Sequence, residues 1–282
     1  EALHQMRVGM RRLRTATSRF AIAVNLPKVV SDKNIGKIAR RLGNLRDLDV
    51  LKETLEHLSQ PQLPKKERQS LQTALDALEK QREEALADVR DTFKDEHYKA
   101  IKQALKKWLD EPNYQPLASL PMQQVLPDLL LPEVSNFLLH PGWLVGTEIE
   151  EHQIVVLHNW EAKKIEKELA TNSKTLHSLR KQAKRTRYQM ELFSDLYSKT
   201  YTAYIAELKS IQDILGSIQD SIVLAEWLES IFESEIQTQI PTIAALLVEN
   251  RYQMWQQWQP LQERYLQCKT RQDLHFTVLH PA

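Results

Sequence analysis

Two sets of basic side chains recur with the same spacing. His4, Arg7, Arg11 and Arg14 form the first, and His177, Arg180, Lys184 and Arg187 form the second. At 100° per residue each set falls within about 80° of a helical wheel. Over ten residues such a row extends about 15 Å at 1.5 Å per residue. Guanidinium groups grip phosphate bidentately and stay charged at every relevant pH, so a row suits a chain of phosphates better than one small ion. Arg12, Lys181 and Arg185 lie within the same segments, and Lys37, Arg40 and Arg41 crowd one turn of the following helical pattern. A merely solvated face would interleave acids at i+3 or i+4. Here Arg7, Arg11 and Arg14 are like-charge neighbours, each pair costing a few tenths of a kcal/mol. No Asp or Glu occurs in residues 2–31 or 174–190. Segregated charge of this kind predicts an anionic ligand.

The rows belong to a longer repeat. Sliding the chain by 173 residues places Leu3-His4 on Leu176-His177, Arg7 on Arg180, Arg12 on Arg185, Arg14 on Arg187 and Phe20 on Phe193. It continues with Leu42-Gly43 on Leu215-Gly216, Asp47 on Asp220 and Val50-Leu51 on Val223-Leu224. One offset held over two helices predicts a duplicated helical hairpin. Asp47 and Asp220 are expected to orient an arginine of the row rather than act as acid or base. Gly43 and Gly216 sit where Gly costs about 1 kcal/mol against Ala, and are read as marks of a close helix crossing. His4 and His177 are expected at the end of a phosphate site. A helical zinc site wants a second ligand at i+3 or i+4, and Arg7, Val8, Arg180 and Lys181 stand there.

Helical periodicity frames these rows. Residues 2–24 carry Met6, Met10, Leu13, Thr17 and Phe20 on one face, and Leu26-Pro27 ends that helix. Ser31 or Asp32 caps a second helix over 34–57. Pro61 and Pro64 precede a long charged stretch, 65–110, with a break near Lys94. Six of the twelve prolines fall in 111–146, which reads as a linker with short helices at 123–126 and 133–139. Helices are expected again over 152–170, 175–197, 201–232 and 242–268. The chain therefore divides into a first bundle at 1–110, a proline-rich linker at 111–150 and a second bundle at 151–282. The Trp255, Trp258 and Tyr252 group reads as core, with base stacking as its alternative.

Composition agrees. The 282 residues include only six Gly and one Cys, so turn-dense sheets, Gly-rich nucleotide loops and an internal disulfide are excluded. Lys plus Arg total 38 against 37 Asp plus Glu, a net charge of +1, which argues against broad electrostatic capture of nucleic acid. With no long apolar run and no signal-peptide pattern, a soluble cytoplasmic protein without membrane association is expected. The fold class expected is all-α: two helical bundles related by an internal duplication.

The run from His4 to Arg14, then Leu42-Gly43 with Arg46-Asp47 and Asp49-Val50-Leu51, and the second copy from Leu176 to Tyr188, resemble the conserved-histidine α-helical domain family, CHAD, along the whole chain. The resemblance implies two four-helix bundles around a basic groove that binds inorganic polyphosphate, with no catalytic role and no cofactor. It also implies association with polyphosphate granules and, in many members, a triphosphate-tunnel (CYTH) partner domain. A helix before the first His motif is usual in the family. The second copy offers 152–170 for it and the first only 1–3, so the first bundle is expected to lack that helix, and the natural beginning of the chain with it. The competing functions are a nucleic-acid-binding helical domain and a metal-dependent polyphosphate-processing enzyme.

Overall fold

The computed structural model describes residues 2–58 and 63–282; the break expected at Pro61 lies outside them. The described residues are almost entirely helical. The chain divides into two compact units, residues 1–120 with 231–240, and residues 121–230 with 241–282.

In the first unit, α1 (Ala2–Arg19) lays Leu3, Met6, Met10 and Leu13 against Ile35, Ile38, Leu42 and Leu45 of α2 (Asp32–Leu58). Val89 of α3 (Lys65–Lys94) and Ile101 of α4 (Glu96–Asp110) complete that core. Ser31 caps α2, its Oγ accepting from the Asn34 N–H at 3.3 Å. The helix breaks at Asp95, whose carboxylate accepts from the His97 N–H at 2.8 Å and starts α4. An Asp in this place answers one of the donors that a helix start leaves unpaired. The strand-like residues after α1 are tied to those after α4, where the Asn25 N–H meets Asn113 O and the Gln115 N–H meets Ala23 O, both at 2.9 Å.

The second unit opens with α5 (Met122–Leu138), a single helix that contains Pro127 and Pro132. Within the stretch 111–150, expected as a linker, the two short helices expected at 123–126 and 133–139 are thus one continuous helix. An internal Pro costs a helix about 3 kcal/mol. Burial of Leu126, Leu130, Val134, Phe137 and Leu138, at about 1.5–3 kcal/mol each, outweighs two such losses. A hairpin follows, with β1 (Thr147–Glu150) antiparallel to β2 (Gln153–Val156) and Glu150 opposite Gln153. Its turn residues Glu151 and His152 both have positive φ, 46° and 66°. Such turns ordinarily announce themselves by Asn-Gly or Asp-Gly, and this one has neither. The helix expected over 152–170 is therefore corrected. One helix, α6 (Ala162–Glu191), carries only residues 162–170 of that segment together with the second basic row.

α7 (Lys199–Phe232), α8 (Ile236–Gln239), α9 (Pro241–Leu266) and α10 (Cys268–Leu279) follow. Trp143 stacks on Trp258 and Tyr265, with Phe137 edge-on to Trp143 and Tyr265. Trp255 and Trp258 are fully buried, which removes base stacking as their role. At Gly146, φ is +76° and a Cβ would stand 2.7 Å from the Trp255 ring, so only Gly fits there.

The glycine expectation is corrected as well. A Cβ at Gly43 would meet nothing within 4 Å, so no helix crosses there. A Cβ at Gly216 would meet the Arg180 guanidinium at 3.1 Å rather than a helix backbone. Gly43→Ala is accordingly expected to raise the unfolding free energy by about 1 kcal/mol, the helix-propensity difference, in a denaturant titration. A destabilised Gly43→Ala would show that the position is crowded.

Candidate functional site

On α1 the basic row lies along the edge nearest α2, and α2 answers it with acids. Arg7 Nη2 meets Asp47 Oδ1 at 3.1 Å. Arg14 grips Asp32 bidentately, at 2.8 Å through Nε and 2.9 Å through Nη2. Its guanidinium also lies over Gly36, where a Cβ would stand 3.4 Å away. Asp32, Gly36, Arg40, Gly43 and Asp47 fall within about 80° on the α2 wheel, so one α2 face serves the row. Donating these hydrogen bonds to Asp32 holds the Arg14 guanidinium even more firmly in its charged form. His4 and Arg12 are exposed and Arg11 is half-buried. Lys37 and Arg40 are exposed on α2, while Arg41 turns to α3 and donates to Thr92 Oγ1 at 2.9 Å.

The second unit has a corresponding arrangement on α6 and α7. Arg180 Nη2 stands 3.8 Å from Asp220 Oδ1, so the Arg–Asp pair recurs 173 residues after Arg7 and Asp47. Gly216 makes room for this guanidinium. Arg180 Nε is buried without a hydrogen-bond partner, and so is His177 Nδ1. Arg187 donates from Nε to Gln212 Oε1 at 3.1 Å, pairs with Glu191, and lies 4.3 Å over the Tyr188 ring. Lys181 is exposed and Lys184 half-buried. Arg185 is directed elsewhere: its Nε meets the buried Glu133 of α5 at 2.9 Å, away from the row.

Burial lowers the pKa of His177, and Lys181, Arg180 and Lys184 lower it further by charge repulsion. Burial lowers that of His140 too. His140 Nδ1 accepts from the Gly142 N–H at 3.0 Å, so its Nε2 carries the proton toward Ser178 Oγ, 3.1 Å away. Three residues that hold these arrangements were not singled out as such by sequence: Asp32 as a partner of Arg14, Gln212, and Glu133. Asp32 was findable, because it shares the α2 face with Asp47. Glu133 was not, because nothing local marks a carboxylate inside an apolar helix as paired.

Among the described residues no group of three or more His, Cys, Asp or Glu side chains is placed to hold a metal ion. Nor is any helix of the described residues long and apolar enough to cross a membrane.

A family profile described as CHAD domain matches residues 1–229. The chain also resembles a crystal structure of the CHAD domain from the plant Ricinus communis, at 23% sequence identity and a TM-score of 0.50. That alignment covers all of this chain and 83% of the plant chain, and shows a shared fold. No curated protein matches the chain.

The depressed histidine has a consequence for stability. Between its lowered folded value and the ordinary 6.5, the unfolded chain binds more protons than the folded one. Stability contributed by neutral His177 is therefore present above pH 6.5 and lost as pH falls below it. His177→Gln should show a shallower loss of unfolding free energy between pH 7 and pH 5, with His140 supplying part of what remains. An unchanged slope would mean that His177 ionises in the folded state as it does in the unfolded chain.

Proposed function

The chain belongs to the CHAD domain family, and we propose that its two basic rows bind inorganic polyphosphate without altering it. The observation that carries this reading is the pairing of Arg7 with Asp47 and of Arg180 with Asp220 along two rows of equal spacing. Each acid sets the rotamer of an arginine, and preset guanidiniums lose less entropy when an anion arrives. The Asp47 and Asp220 carboxylates face cations, which suits orientation better than proton transfer. His177 Nδ1 and Arg180 Nε, buried and unanswered, supply hydrogen-bonding groups beside the second row. A chain of phosphates can meet such a row at several points at once, while orthophosphate meets it at one.

Nucleic acid would meet the same charges, but Trp255 and Trp258, which could have offered single strands a stacking platform, are buried in the core.

The test is the combined replacement of Arg7, Arg11 and Arg14 by Ala. Arg7 and Arg14 pair with exposed acids, and such pairs contribute at most about 1 kcal/mol each, so the fold should persist. Affinity for long-chain polyphosphate should fall at least about tenfold, and the slope of log affinity against log salt should flatten by about two to three units as fewer counterions are released. An unchanged affinity with an unchanged slope would remove α1 from the binding site.

A further inference from the structure

The β1–β2 hairpin is the one sheet among the described residues. Its base is packed, with Val156 buried, but its outer half is not. Ile149 and Ile154 stand directly opposite each other and are 73% and 40% exposed. An isolated two-stranded hairpin is at best marginally stable in water. This one also holds two non-glycine turn residues, Glu151 and His152, at positive φ, a conformation that persists only when the surroundings impose it. Both features call for a further strand.

The register says which backbone groups are free. The Leu157 N–H donates to Gly146 O at 3.1 Å, so Gly146 and Leu157 form a hydrogen-bonded pair. Such pairs alternate along an antiparallel ladder, which makes Glu148–Val155 and Glu150–Gln153 bonded and Ile149–Ile154 not. The N–H and C=O of Ile149 and of Ile154 therefore point away from the hairpin, one set at each edge, and neither meets a backbone partner among the described residues. The two edges differ in charge. β1 carries Glu148 and Glu150, whereas β2, Gln153-Ile154-Val155-Val156, carries no charge at all. Charges are how natural proteins close an edge strand, so β1 is closed and β2 is open.

We propose that β2 pairs antiparallel with β2 of a second copy of this chain, Ile154 against Ile154, to close a four-stranded sheet across a two-fold axis. The register follows from the same alternation. Outward-facing residues meet as hydrogen-bonded pairs, and Val156 is buried at the base, which leaves Ile154 for the axis. Ile149 and Ile154 of both copies then form one apolar row across a single face of the sheet. Glu148 and Glu150 lie on the opposite face and on the outer strands. Three strand spacings, about 14 Å, separate them from their counterparts, beyond the screening length of about 8 Å at physiological salt. Addition at β1 would instead set glutamates of two copies on adjacent strands, where like charges repel. The contact is isologous, and the acidic outer strands stop it at two copies. It stands apart from the phosphate reading.

The experiment is sedimentation of the full chain without polyphosphate, followed by cross-linking. So small a contact makes a weak dimer, populated progressively between about 10 μM and 1 mM. Ile154→Lys sets two ammonium groups opposite each other and should weaken association at least about tenfold, with helical circular dichroism unchanged because the side chain is exposed. Cross-linking reads the register in a Cys268→Ser background, since Cys268 is exposed and free. Ile154→Cys should form a disulfide-linked dimer on oxidation, because a hydrogen-bonded antiparallel pair holds its Cα atoms about 5.5 Å apart, within disulfide reach. Ile149→Cys should not, its two copies standing about 14 Å apart. A chain that stays monomeric at 1 mM leaves the edge to some other extended segment and overturns the proposal. So does a dimer that Ile154→Lys leaves intact, or a disulfide that forms through Ile149→Cys as readily as through Ile154→Cys.

Discussion

The constraint on which the rest of the structure depends is that a helix made of like charges must be held in place by groups outside itself. α1 has five arginines and no acid, and the basic stretch of α6 from residue 174 to residue 190 has none either. Repulsion along such a helix is answered from the next helix over. Asp32 and Asp47 do this for α1, and Asp220 does it for α6. These are half-exposed pairs, weak as contributors to stability. Their effect is geometric: they hold guanidiniums at the helix edge, ready to exchange a carboxylate for a phosphate.

That arrangement dictates how the neighbouring residues are chosen. Gly216 leaves the space in which the Arg180 guanidinium lies, and a Cβ there would press on it at 3.1 Å, whereas at Gly36 a Cβ would meet the Arg14 guanidinium only at ordinary contact distance. His177 sits among three cations and is kept neutral by them and by burial, so it approaches an anion as a hydrogen-bonding group. The apolar side of α6 is sealed by α5, and the one row-segment arginine on that side, Arg185, is given to Glu133.

Much of this was legible in the sequence, because the rows, the acids and the repeat all rest on short-range spacing. Arg7, Asp47, Arg180 and Asp220 stand out once the chain is laid on itself at 173 residues. What escaped reading depends on contacts that spacing does not encode. Pro127 and Pro132 signal a break, yet the helix persists because its other side is buried against α6. The Glu151-His152 turn lacks the residues that favour positive φ, and a hairpin was read as helix. Gly43 and Gly216 look equivalent in sequence, but only Gly216 has a side chain beneath it.

Binding by braced arginines and processing by a metal-assisted enzyme make opposite demands. The first commits the acids to cations, whereas the second needs several free to hold a divalent ion and direct water. The measurement that separates them is an equilibrium titration of the chain with long-chain polyphosphate, competed by orthophosphate and by RNA, with the length of the polyphosphate followed on a gel in the presence of Mg²⁺. The account predicts binding that neither competitor displaces at equal phosphate concentration, and chains of unchanged length. RNA that competes as well as polyphosphate, or chains that shorten and cease to do so in Asp47→Ala and Asp220→Ala, would contradict it.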